Sequence, residues 1–143
     1  MKKSTKVVVG GMLAAALLLP AANAFATSSY TGFNVNMSAL QQGVLAAHQT
    51  KTSAAAAGSI KVATIGGGYH LNARQCRLDH ASGPGSTPYV VSCGTEVTYI
   101  AAGATKSLPS GSRVAAGKTA YLELHNQTWT VVRVQATGSW RAN

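Results

Sequence analysis

Cys76 and Cys93 lie at equal distances from the Pro84-Gly85 junction, in the middle of the turn-rich run Ala81-Ser82-Gly83-Pro84-Gly85-Ser86-Thr87. A pair placed symmetrically about a turn signal limits what the chain can fold into more than any other feature. If residues 69–80 and 88–100 are the arms of an antiparallel hairpin, the two sulfurs face each other across it. Directly opposed residues in a non-hydrogen-bonded antiparallel pair have Cα atoms about 4.5 Å apart, within the span of a disulfide. Closing a loop of roughly 15 residues in this way stabilises a fold by about 3 kcal/mol. A redox-active pair would need Cys-x-x-Cys spacing or a thiolate-stabilising setting, and neither is present. The pair is read as a structural disulfide, formed outside a reducing cytoplasm.

The start of the chain agrees with that compartment. A basic head, Lys2-Lys3-Ser4-Thr5-Lys6, precedes an apolar run over residues 7–19 that Pro20 ends. The run falls short of the roughly 20 residues a membrane span needs. Small residues follow at signal-peptidase spacing, as Ala22-Asn23-Ala24 or Ala24-Phe25-Ala26. Residues 1–26 are therefore expected to be a cleaved secretory signal, and the mature chain to be exported with no transmembrane segment. Residues 27–143 form one expected domain, with an N-terminal strand and an irregular, flexible part over 27–58 and the sandwich core over 59–143. The whole chain carries 12 Lys and Arg against 3 Asp and Glu. Past the leader the cations stand singly (Lys51, Lys61, Arg74, Arg77, Lys106, Arg113, Lys118, Arg133, Arg141). No run of like charge suits nucleic acid; dispersed cations on an exported chain suit a polyanionic neighbour.

Alternation with period two recurs along the mature chain, and helical periodicity is scarce. Phe33, Val35 and Met37 alternate with polar residues, as do Ile60, Val62 and Thr64. Gly66-Gly67-Gly68 marks a bulge or sheet corner, and residues 113–116 a short strand. Ala120, Leu122 and Leu124 lead to a tight turn at Asn126-Gln127 and a returning strand over 128–137. That register pairs Leu124 with Trp129 and Leu122 with Val131, placing Trp129 in the core. It also opposes Ala120 to Arg133 and sends Val132 and Val134 to the other face, so either a bulge shifts the parity or the strand is buried on both sides. Residues 38–48 fit a short helix or an irregular strand crossing equally, with Gly43 awkward in a helix. Strands every 8–12 residues with Gly, Pro and Ser between them indicate an all-β fold, an antiparallel β-sandwich with one hairpin disulfide.

Gln49-Thr50-Lys51, Gly66-Gly67-Gly68-Tyr69, Asn72-Ala73-Arg74 and the terminal Gly138-Ser139-Trp140-Arg141-Ala142-Asn143 resemble a group of short secreted orphan β-proteins of Gram-positive bacteria. Those chains share a signal peptide, a β domain rich in Thr, Ser and Asn, and a Gly-x-Trp-x-x-Asn tail. The resemblance implies an exported β-sandwich and carries no activity or functional residue with it. The Cys pair and the alanine-rich middle depart from the group. Lactococcin-type bacteriocins share export, basicity and strand content, but not sequence patterns.

Chemistry is sparse. Asp79, Glu96 and Glu123 supply the carboxylates, and a glycosidase needs two of them about 5–10 Å apart. The hairpin register puts Asp79 and Glu96 on the order of 20 Å apart. No Gly-x-Ser-x-Gly elbow and no spare Cys support nucleophilic catalysis. His48, His70, His80 and His125 show no convergent spacing for a metal, so no metal or other cofactor is expected. The hairpin register does oppose His70 to Tyr99 on the face that carries Arg74 and Thr95. With Trp140, which either caps the sandwich or is an exposed anchor, and its neighbour Arg141, these residues form the candidate binding face. The expected function is a secreted non-enzymatic interaction module for cell-wall polyanion, glycan or another secreted protein. The alternative is a secreted antibacterial (bacteriocin-like) or toxin-associated protein. A hydrolase would need Glu96 and Glu123 to meet. Strand addition through residues 27–37 offers a route to assembly.

Overall fold

The computed structural model describes residues 29–80, 88–110 and 113–143. The expected signal segment and the expected turn over 81–87 lie outside the described residues. Nine strands follow one another: β1 (Thr31–Met37), β2 (Val44–Thr50), β3 (Gly58–Ile65), β4 (Leu71–His80), β5 (Pro88–Cys93), β6 (Val97–Ile100), β7 (Thr105–Leu108), β8 (Thr119–Asn126) and β9 (Val134–Arg141). They form two antiparallel sheets packed face to face, one ordered β1-β9-β3-β7, the other β2-β8-β4-β5 with β6 also on β4. No helix among the described residues is long and apolar enough to cross a membrane.

Inward-facing residues are those the alternation selects. Phe33 and Met37 from β1, Ile60 and Val62 from β3, Leu71 and Ala73 from β4, Ala120, Leu122 and Leu124 from β8, and Val134, Ala136 and Trp140 from β9 build one buried core. In β3 the ladder slips between Val62 and Thr64, so Ile65 takes the inward place expected for Thr64, which is exposed. A bulge at Ala63 is what the three-residue step from Val62 to Ile65 requires.

The disulfide forms as expected: Cys76 and Cys93 are ladder partners with Cα atoms 4.0 Å apart. The bond from Gly94 N–H to the Gln75 carbonyl, 2.8 Å, marks them as a non-hydrogen-bonded pair. The second arm, however, is not continuous. Gly94–Glu96 leave the ladder, and β6 rejoins β4 in a shifted register, Val97 opposite Ala73 and Ile100 opposite Leu71. A Cβ on Gly94 would meet the Pro109 carbonyl and Ser110 Cα, so the chain turns there beneath another backbone segment.

Other expectations are corrected. β8 and β9 do not form a hairpin; they lie in different sheets, and residues 127–133 cross between the layers. Trp129 is consequently 65% exposed rather than core. The parity conflict at Val131–Val132 reflects this crossing, since neither residue lies in a strand and both are exposed. Residues 113–116 are bends and a turn, with Val114 buried as a plug. Residues 38–48 follow the irregular-crossing alternative: Leu40 and Gln41 turn at φ 60° and 58°, and β2 begins at Val44. The glycine triplet makes a 3-10 turn at the corner where β3 passes into the other sheet as β4, with Gly67 and Gly68 at positive φ.

Lys51, one of the singly standing cations, is fully buried. Its Nζ donates to the carbonyls of Ala56 (2.6 Å), Ala142 (3.1 Å) and Asn143 (3.0 Å). Gln49 accepts from Ala142 N–H at 2.8 Å, and Asn143 Nδ2 donates to the Ala57 carbonyl at 2.6 Å. The Gln49-Thr50-Lys51 segment and the Trp140–Asn143 tail, far apart in sequence, thus form one clasp that ties β2 to the end of β9.

Candidate functional site

The outer face of the five-stranded sheet carries a chain of polar contacts that runs toward one end of the sandwich. Asn72, Arg74 and Cys76 of β4 point outward, because their neighbours Leu71, Ala73 and Gln75 point into the core. On β8 the outward residues are Tyr121, Glu123 and His125. Arg74 grips Glu123 with two bonds, Nε to Oε2 at 2.9 Å and Nη2 to Oε1 at 3.1 Å. That hydrogen bonding raises the Arg74 pKa above its ordinary value, so the guanidinium stays charged throughout the usual pH range. Glu123 is only 8% exposed although it faces outward, because Gly43 lies directly on its carboxylate.

The disulfide abuts the same carboxylate: Sγ of Cys76 is 3.1 Å and Sγ of Cys93 3.6 Å from Oε2. These are close contacts and not hydrogen bonds, since a disulfide sulfur carries no proton. Cys76, Cys93 and Glu123 hold potential ligand atoms within 4.8 Å of one another. The sulfurs are spent in the S–S bond, however, and offer no thiolate to a metal.

Next along the face, Asn72 Nδ2 donates to Glu96 Oε1 at 2.9 Å, and His125 Nε2 lies 3.2 Å from Glu96 Oε2. Glu123, held by Arg74, and Glu96, held by Asn72 and His125, therefore share one face, which the strand register alone does not disclose. Asn72 Oδ1 accepts from the backbone N–H of Tyr99 at 3.3 Å. Tyr99 sits at φ 54°, a strained conformation for an aromatic residue, and is 67% exposed. Its ring meets that of His70 edge-on, with centroids 6.2 Å apart. The expected proximity of His70 and Tyr99 is present, although the shifted ladder does not pair them.

No family model, curated protein or solved structure matches the chain. The site must be read from its own geometry.

Beyond His70 the surface becomes apolar. Gln127 N–H donates to the His70 carbonyl at 3.0 Å, anchoring the 127–133 crossing beside the His70–Tyr99 pair. Leu40 N–H donates to the Thr130 carbonyl at 2.7 Å, bringing the 38–43 turn against the same crossing. Exposed side chains at this end include Leu40 (41%), Trp129 (65%), Val131 (80%) and Val132 (50%), followed by exposed Arg133. Leu40, Gln41 and Tyr99, non-glycine residues at positive φ, all belong to this end.

The candidate face divides accordingly. His70 and Arg74 lie along this surface, with Tyr99 at its end; Thr95 is exposed in the β5–β6 connection. Trp140 is neither a folded-back cap nor an anchor: it is fully buried in β9, opposite Thr31 and Ile60. Arg141 belongs to the other sheet, with its guanidinium 5.2 Å from the Tyr30 ring centre, beside Lys61 at 4.1 Å. Sequence reasoning missed the 127–133 and Leu40 residues because it placed the former in a strand. The signal was the parity break at Val131-Val132.

Proposed function

We propose that the chain is an exported, non-enzymatic interaction module of the cell envelope, engaging its partner through the end built by His70, Tyr99, Leu40 and residues 127–133. The observation that carries this reading is the coexistence there of exposed Tyr99, Trp129 and Val131 with a well-braced polar base behind them. An exposed aromatic and aliphatic cluster raised on a disulfide-braced sheet is a recognition feature. A hydrolytic reading is weaker. Glu123 is engaged by Arg74 and covered by Gly43, which leaves it poorly placed to meet a substrate. Past the expected leader, nine Lys and Arg against three Asp and Glu favour polyanionic surfaces of cell wall or membrane as partners. The test is sedimentation with purified cell walls and membranes. Retention at low salt and partial release at high salt are expected, because exposed charges are screened. A chain left in the supernatant at low salt overturns the reading.

A further inference from the structure

We infer that residues 127–133, with Leu40 and Tyr99 beside them, dock into the interfacial layer of a lipid bilayer with anionic headgroups. This rests on the envelope reading and names its partner.

The composition of the end fits that layer. Trp and Tyr favour the headgroup level, where a ring can be apolar on one side and wet on the other. Trp129, Val131 and Val132 expose apolar surface on one short connection, and Leu40 extends it from the neighbouring turn. Backbone groups entering a bilayer must find partners within the protein. Several here have done so: Leu40 N–H bonds to the Thr130 carbonyl, Gln127 N–H to the His70 carbonyl, and Val132 N–H to Thr130 Oγ1 at 3.2 Å. Water-facing side chains can therefore be submerged without stranding those donors.

Charge points the same way. Arg133, exposed, follows the valines directly. Glu96 is the carboxylate nearest this end on the polar face, and Asn72 and His125 hold it. Asp79 lies seven residues beyond Asn72 along β4, about 23 Å away at strand rise. Among the described residues the apolar end is thus flanked by a cation, and the carboxylate of Glu96 is drawn back onto Asn72 and His125.

Tryptophan fluorescence reads the proposal directly. The chain has 2 Trp residues, and Trp140 is fully buried, so Trp129 is the one able to report a change of surroundings. Full-length protein is mixed with vesicles of phosphatidylcholine alone or with phosphatidylglycerol, some carrying brominated acyl chains. A blue shift and quenching by bromine, stronger with phosphatidylglycerol, are expected. The apolar leader contains no Trp and does not contribute to this signal. Val131→Ser and Val132→Ser, at exposed positions, should each weaken the Trp129 response on the order of tenfold. Arg133→Gln should weaken it about fivefold on anionic vesicles.

A chain that co-sediments with vesicles while Trp129 stays unshifted and unquenched overturns the inference. So does a shift that appears without lipid as protein concentration and solution mass rise together, which would assign the surface to a second copy. Binding to lipid-free cell walls with Trp129 silent on vesicles removes the bilayer and leaves the envelope reading. Binding to neither removes both.

Discussion

At the scale of single residues, two charged groups are held where charge is costly, by different means. Glu123 is neutralised by a forked guanidinium, a geometry that suits a carboxylate under a covering backbone. Lys51 has no carboxylate among its Nζ contacts; three carbonyls surround it, and burial lowers its pKa from the ordinary 10.5. The consequence is a pH dependence with a definite sign. Between the lowered native value and 10.5, the unfolded chain binds the proton that the native chain has released. Lys51 therefore makes stability rise with pH across that interval, and its contribution falls away as pH drops through the native value. Urea midpoints measured from neutral pH to about 10 should show this rise. Lys51→Met should lack it, and should be less stable by about 2 kcal/mol because the clasp carbonyls lose their donor. Little of this was legible in the sequence. A lysine is a surface residue by default, and only the tail folding back over residues 56 and 57 gives it carbonyls to fill. Gly43 was more telling: a glycine that spoiled a helix was the one residue able to lie on Glu123.

Among the elements, what could be read depended on how local the pairing is. The β4–β5 ladder joins strands consecutive in sequence, and its register at Cys76 and Cys93 followed from symmetry. The inward residues of β1 and β8 followed from alternation. β9 was different. Its partners, β1 and β3, are distant in sequence, while the Asn126-Gln127 turn signal offered a nearer but false partner. An apparent hairpin is persuasive whenever two apolar runs flank a polar dipeptide. Here the test was parity: an unbroken ladder accommodates both Val131 and Val132 only in a strand buried on both faces. The true pairing also explains Gly138. β9 passes between β1 and β3 at that residue, and a Cβ there would press on the Lys61 carbonyl and the Phe33 ring. Gly138→Ala should therefore destabilise the fold by about 1–3 kcal/mol through overpacking. Thermal unfolding would measure this, with Gly103→Ala not a fair control because of its positive φ. An unchanged midpoint would mean the strands yield easily at this point.

For the molecule as a whole, connectivity matters more than composition. Apart from β4–β5 and β5–β6, every connection carries the chain from one sheet to the other. The sandwich class was legible because strand spacing and polarity do not depend on which sheet a strand joins. The order of strands was not, because alternation says which face is buried and nothing about neighbours. The candidate end suffered for the same reason: it is made of crossings, and crossings have no period. In the four-stranded sheet, the last strand lies between β1 and β3 and holds both. A chain truncated after Arg133 should keep at most the sheet formed by β2, β8, β4, β5 and β6. Its circular dichroism and protease resistance should show loss of the cooperative fold rather than a slightly smaller domain.

The central place of β9 also sets a timetable. A ribosome delivers β1 first and β9 last, so the opening strand has no partner in its own sheet until nearly everything else has been made. Pairings between such distant segments form slowly. Until that closing strand slides between the two it joins, the four-stranded layer of this polypeptide cannot be completed.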